Sequence, residues 1–188
     1  ETYLRLDYAR EPNGLIKATT ETRTMEDPGV TGWTYTYDGA KRLVTAVCNS
    51  SANGQTSYAY AYDGAANRLS ESVDGAATTY SYNSLNQMVA EHTRTGETRA
   101  FTYDCFGNQT AEYECPSDGG ECGAGVPPAE YLTREYTWDA ENRLVGARIV
   151  GESGQPDQHI WFAYDDQGTR VRRSTGSSAS AQQSPDSS

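Results

Sequence analysis

Several ingredients are scarce in this chain. Of 188 residues only 3 are Phe, 3 Trp, 2 Met and 2 His, and 15 Lys and Arg stand against 26 Asp and Glu. Hydrophobic residues make up 36%, which excludes a thick aliphatic core. The net charge of −11 and pI near 4.6 argue against nucleic acid, because phosphate binding needs clustered Lys and Arg. The same charge disfavours docking on an anionic membrane surface. No apolar run approaches the roughly 18 residues of a membrane span. No CxxC or Cys/His cluster is present, so no zinc or other metal site is expected. His92 and His159 accompany no nucleophile motif, which speaks against a catalytic triad; both read as solvent-facing strand residues. The Gly-rich "SDGGECGAG" lacks the Lys-Ser/Thr of a phosphate loop, and no cofactor is expected. No useful stretch has the 3.6-residue period of a helix.

What is abundant is Tyr (14) and Gly (18), and most of the tyrosines fall in one phrase. It reads "YTYDGAKRLV", "YAYDGAANRLS", "YSYNSLNQMV", "FTYDCFGNQT", "YTWDAENRLV" and "FAYDDQGTRV". Its aromatics stand two apart: Tyr35/Tyr37, Tyr60/Tyr62, Tyr80/Tyr82, Phe101/Tyr103, Tyr136/Trp138 and Phe162/Tyr164. Residues two apart on a strand share a face. From one second aromatic to the next the spacings are 25, 20, 21, 35 and 26. The phrase is constant and the connections vary.

The next position is Asp38, Asp63, Asn83, Asp104, Asp139 or Asp165. An Asp or Asn there accepts hydrogen bonds from N–H groups just downstream and starts a turn. Four or five residues later stands Arg42, Arg68, Gln87, Gln109, Arg143 or Arg170, so two turn lengths are expected. Asn67, Asn86, Gly107, Asn142 and Gly168 are placed for a left-handed backbone near the turn's end. A second strand follows, then a return at Asn53-Gly54, Asp74-Gly75, Thr95-Gly96 or Ser153-Gly154. The pattern predicts an all-β chain: tandem β-hairpin repeats in a curved antiparallel meander of about twelve short strands.

The expected organisation is a degenerate first repeat over 1–30, the array over 31–173 with a loop insertion at 114–130, and a disordered Ser-rich tail over 174–188. In the first repeat "LRLDYAREPNGLI" keeps an acid, Gly14 and an aliphatic pair. Four cysteines in a thin-cored chain lean toward disulfides and an oxidising compartment. Cys115 and Cys122 enclose a short turn and are expected to bridge, with Cys105–Cys115 as the alternative. Cys48 and Cys105 are otherwise expected free. The opening "ETYLRLDYAR" reads as a processed product or a piece of something longer.

The sixfold phrase resembles the YD repeat, "YxYDxxGRL" or "YxYDxxGNR", of the Rhs/YD-repeat family. That family includes bacterial Rhs and wall-associated toxins, the shell subunits of insecticidal toxin complexes, and teneurins. The resemblance covers roughly residues 1–173. Tyr37, Tyr62, Tyr82, Tyr103, Trp138 and Tyr164 match the motif's aromatic, and Asp38, Asp63, Asp104, Asp139 and Asp165 its acid. Asn83, Gln87 and Gln109 depart from the pattern. The resemblance implies a β-sheet that spirals into a hollow shell around a cargo, in a secreted, extracellular or cell-surface protein. The "DPxGL"-type end of the self-cleaving core is absent, as is any recognisable toxin after residue 173.

Paired acids hydrolyse glycosides, and Asp165-Asp166 and Glu112/Glu114 are the adjacent carboxylates. Almost every repeat carries its acid at the same turn position, so a structural role is expected and no catalysis. The rings are expected to pack on neighbouring strands, with glycan binding by exposed aromatics as the rival reading. The expected partners are flanking repeats, shell subunits or further copies of the chain.

Overall fold

The computed structural model describes residues 4–23, 29–116, 126–151 and 154–177. Contacts divide the chain into two compact units, Glu1–Ser81 and Tyr82–Ser188. The first holds β1 (Leu4–Arg10), β2 (Ile16–Arg23), β3 (Gly29–Tyr37), β4 (Leu43–Ser50), β5 (Gly54–Tyr62), β6 (Arg68–Val73) and β7 (Ala76–Tyr82). The second holds β8 (Met88–His92), β9 (Thr98–Tyr103), β10 (Gln109–Cys115), β11 (Leu132–Trp138), β12 (Leu144–Ile149), β13 (Gln158–Tyr164) and β14 (Arg170–Gly176). A single 3-10 turn, Ala129–Tyr131, precedes β11. Within each unit the strands pair antiparallel in sequence order, the meander the phrase predicts. Among the described residues there are fourteen strands rather than about twelve. The difference is the first repeat, which still supplies a full hairpin, β1 and β2.

The expected two turn lengths are one turn. In all six phrases the acid's N–H donates to the carbonyl four residues on, and the residue three on donates back to the acid's carbonyl: Asp38 N–H to Arg42 at 3.0 Å and Lys41 N–H to Asp38 at 3.0 Å. The degenerate copy does the same with Glu11, Gly14 and Leu15. The third residue after the acid always has positive φ: Lys41, Ala66, Asn86, Gly107, Asn142 and Gly168. Asn67 is therefore not the left-handed residue; Ala66 is, at 72°. Arg68, Gln109 and Arg170 do not close their turns. They fall one place later, where Leu43, Met88 and Leu144 stand in the other copies, and open the returning strand.

A register shift follows five of the six turns. Thr36 faces Thr45 and Tyr37 faces Leu43, so Val44 is an extra, bulged residue. Leu69, Thr110, Val145 and Val171 are bulged in the same way. A bulge kinks and twists its strand and leaves one residue without a partner across the hairpin.

The returns vary. Asp74 and Gly75 both have positive φ between paired Val73 and Ala76, as a two-residue hairpin needs. Ser50 instead pairs with Gly54, so that return is a three-residue loop and not an Asn53-Gly54 pair. Thr93 to Glu97 repeats the five-residue turn, with Gly96 at its left-handed place.

Burial is thin, as the composition requires. In the first unit only Ala46 and Thr78 are buried among the described residues. The second unit buries Ala100, Ala111, Tyr113 and Cys115, with Tyr131 and Leu132 packed against them. Ala100 alternates with the motif ring Phe101 along β9, so this small core lies on the face opposite the motif aromatics.

Candidate functional site: the turn ladder

Each turn acid is held the same way. One oxygen of Asp38 accepts the N–H of Ala40 and of Arg42, both at 2.9 Å. Asp63, Asn83, Asp104, Asp139 and Asp165 repeat the pair on residues two and four downstream. The second oxygen goes to the closing side chain. Arg42 and Arg143 donate Nε–H to Asp38 and Asp139, each at 2.7 Å. Asn67 and Asn108 take that place with Asp63 and Asp104, at 2.8 and 3.0 Å. Asn83 and Gln87 make an uncharged version.

These bonds hold the carboxyls below the usual carboxylate range. For Asp38 the backbone N–H of Arg42 is the main cause and its guanidinium the next. For Asp63 and Asp104 it is the amide of Asn67 or Asn108. For Asp139 burial pushes upward, and the N–H and guanidinium of Arg143 outweigh it.

The second aromatic does what ring packing alone does not require. In five of the six phrases its polar hydrogen bonds a backbone carbonyl of the preceding hairpin. Tyr37 donates to Ile16 at 2.8 Å, Tyr62 to Leu43 at 3.0 Å, and Tyr103 to Met88 at 2.7 Å. Trp138 donates from Nε1 to Gln109 at 2.8 Å, and Tyr164 to Leu144 at 2.8 Å. Every acceptor is the fifth residue after a turn acid, and Ile16, Leu43, Gln109 and Leu144 each stand just before a bulge. Trp138 makes the bond across the insertion, with an indole in place of a phenol. Burial pushes the Tyr103 phenol up, with Tyr82 adding to the shift, so its donor proton is retained.

Arg42, Arg68 and Arg143 reach the other way, toward the following hairpin. Arg42 lies 4.7 Å over the Tyr62 ring and donates Nη1–H to the carbonyl of Asp63 at 2.8 Å. Arg143 lies 5.0 Å over Tyr164, and Arg68 lies 5.1 Å over Tyr80. Such stacking contributes about 0.5–1 kcal/mol at partly exposed sites.

The first aromatics pack as rings across their hairpins, and Tyr136 also uses its hydroxyl, on Glu112. Tyr35 faces Ala46 and Tyr136 faces Ala147 across their hairpins. Trp33 stacks between Tyr35 and Tyr58, at 6.1 and 5.9 Å.

Two of the four candidate glycosidase carboxylates, Asp165 and Glu112, have structural partners. Asp165 holds its turn, and Glu112 accepts from Arg134 at 2.8 Å and Tyr136 at 3.1 Å. Burial and then the Glu112 charge push the Tyr136 phenol up. His92 is exposed, as expected. His159 is half-buried instead, stacked 5.6 Å from Trp161. An open polar groove of about 640 Å³ lies at the ends of β10, β11 and β12; Glu114, Glu130, Tyr131 and Arg134 are among its walls. Among the described residues no three His, Cys, Asp or Glu side chains gather as a metal-binding group. Nor is any helix there long and apolar enough to cross a membrane.

Cys115 is disulfide-bonded, and its expected partner Cys122 lies outside the described residues. Cys48 and Cys105 are free thiols, which removes the Cys105–Cys115 alternative.

Fold and ladder together define an all-β protein of tandem hairpins, locked turn to turn within each unit. No protein-family model matches the chain, and no curated protein matches it by sequence. Among solved structures it is similar to a crystal structure of TcdB2-TccC3-Cdc42, with 14% identity over 89% of this chain and 12% of that one, at a TM-score of 0.41. A structure of TcdB2-TccC3 without its hypervariable C-terminal region matches at 16% identity over 95% of this chain and 13% of that one, TM-score 0.42. The chain thus spans about an eighth of those chains. A likeness at these scores carries no argument for function.

Proposed function

We propose that the chain is a non-catalytic stretch of wall in a YD-repeat shell, enclosing or presenting a toxin or other cargo in a secreted or cell-surface protein. The observation that supports it best is the lock between hairpins. Polar atoms that could bind a ligand are already engaged: the phenols of Tyr37, Tyr62, Tyr103 and Tyr164 and the indole of Trp138 with the preceding hairpin, and the turn acids within their own turns. The phrase recurs because each copy joins one more hairpin to the last. Nothing in that design calls for a substrate.

The rival reading, glycan binding by the repeat aromatics, would need those rings free. A glycan array on the purified chain separates the two. The wall reading expects no specific binding. Reproducible millimolar-or-better binding that is lost on Trp138→Ala would replace it with a lectin-like role.

A further inference from the structure

Two asparagines stand in the triplet Asn-x-Ser/Thr that marks an acceptor of N-linked glycan in a secreted protein: Asn49-Ser50-Ser51 and Asn108-Gln109-Thr110. The fold treats their two amides in opposite ways.

Asn108 is half-buried in the turn ladder. Its Nδ2 donates to Asp104 at 3.0 Å and to Asn142 of the next turn at 2.9 Å. Both amide hydrogens are therefore in use. A glycan replaces one of them, so it would break either the Asp104 turn or the contact with its neighbour.

Asn49 lies at the other end of its hairpin, next to last in β4 and beside the return at 51–53. It is exposed. Its Oδ1 accepts from Gln55 Nε2 at 2.9 Å, which orients the amide and leaves Nδ2 without a partner among the described residues. The residues that face it across the sheet are Gly32 and Gln55. A Cβ on Gly32 would meet nothing nearer than the Asn49 carbonyl, at 4.0 Å, so the ground beside the amide is clear. Val30, Thr34, Val47 and Ser57 share that face, and none is charged. Ser51, whose hydroxyl completes the triplet, is exposed as well and accepts the Val30 N–H at 3.1 Å. The compartment fits independently. The Cys115 disulfide belongs to an oxidising one, and N-linked transfer takes place in such a compartment.

We propose that Asn49 carries an N-linked glycan and that Asn108 does not. The donor is an oligosaccharide carried on a lipid diphosphate. Asn49 Nδ2 bonds to C1 of the first sugar and gives up one proton. The C1–O bond to the diphosphate breaks, and the diphosphate leaves with that electron pair. Transfer acts on the open chain, so both triplets meet the transferase. Folding then excludes the molecules in which Asn108 is occupied. Asn49 alternates with Cys48, which faces Trp33, so the glycan stands on the face opposite the motif rings. The inference rests on the secreted form of the wall reading and gives the wall, at β4, an outward face.

The test expresses the full chain behind a cleavable secretion signal in cells that attach N-linked glycans, and maps the protein collected from the medium. Peptide-N-glycosidase in heavy-oxygen water turns each occupied Asn into a labelled Asp. The label should appear at Asn49 in most molecules and at Asn108 in none. Asn49→Gln should abolish the gel shift that the glycosidase removes. Ser51→Ala should abolish it too, with the acceptor itself still in place. A secreted, Cys115-bridged chain with Asn49 bare would overturn the inference and leave the wall reading standing. Label at Asn108 in that secreted chain would overturn it as well, because the turn bonds would then not guard that amide. A positive glycan array would refute the wall reading instead, whatever the occupancy of Asn49.

Discussion

The hydroxyl of Tyr62 sits 3.0 Å from the carbonyl of Leu43, nineteen residues earlier and one hairpin back. Leu43 is the last residue before the bulge at Val44, so the ladder to β5 has not yet resumed there; the first pair between β4 and β5 is Thr45 with Ala59. A buried carbonyl without a partner costs about 1–3 kcal/mol. The tyrosine supplies that partner and ties two hairpins together in doing so. The Arg42 guanidinium over the same ring closes the loop from the other side.

Acid should loosen the ladder. The Asp38, Asp63, Asp104 and Asp139 carboxyls are held below their ordinary range. Their contribution is in place above the unfolded pKa of about 3.9 and is lost as pH falls from there through the folded values. Urea melts should show a midpoint that drops steeply below about pH 4. Asp38→Asn with Arg42→Gln, copying the uncharged Asn83–Gln87 turn, should fold at neutral pH and be less acid-sensitive than the parent. An unchanged acid response would contradict the turn assignment.

Ala66 is an L residue at φ 72° with an exposed side chain. The left-handed region costs such a residue roughly 1–2 kcal/mol, while glycine loses about 0.5–1 kcal/mol more chain entropy. Ala66→Gly should therefore stabilise by about 0.5 kcal/mol, and Gly168→Ala should destabilise. A loss of stability on Ala66→Gly in a urea melt would count against the turn geometry.

The thiols should divide into three classes. Cys105, at an exposed turn tip, should alkylate quickly in the native protein, and half-buried Cys48 slowly. Cys115 should react only after reduction. Mass-spectrometric mapping reads this directly; native labelling of Cys115 without reductant would be the contrary result.

Much of this was legible in the sequence, for a physical reason. Strand and turn are local, so aromatic-x-aromatic-acid announces them wherever it occurs. The lock was not legible, because it joins Tyr62 to a backbone carbonyl, and a carbonyl has no letter. The bulge hid for the same reason: Leu43-Val44 and Arg68-Leu69 look like ordinary strand starts. The two spellings of the turn suggested two lengths, because Arg is conspicuous and the closing Asn67 is not. Tyr113, the largest buried residue of the small core, stands outside the phrase. It is buried by Ala100 beside it and by the chain returning at Tyr131 and Leu132, a contact that no local pattern carries.

The most direct test removes single hydroxyls and leaves the rings. Tyr→Phe at Tyr37, Tyr62, Tyr103 and Tyr164 should each lower stability in urea by about 1 kcal/mol, the usual worth of one hydrogen bond. The same change at Tyr35 and Tyr60, the first aromatics of their phrases, should cost close to nothing. Equal losses in the two groups, or no loss in the first, would mean that the rings alone hold the hairpins together and that the lock does not.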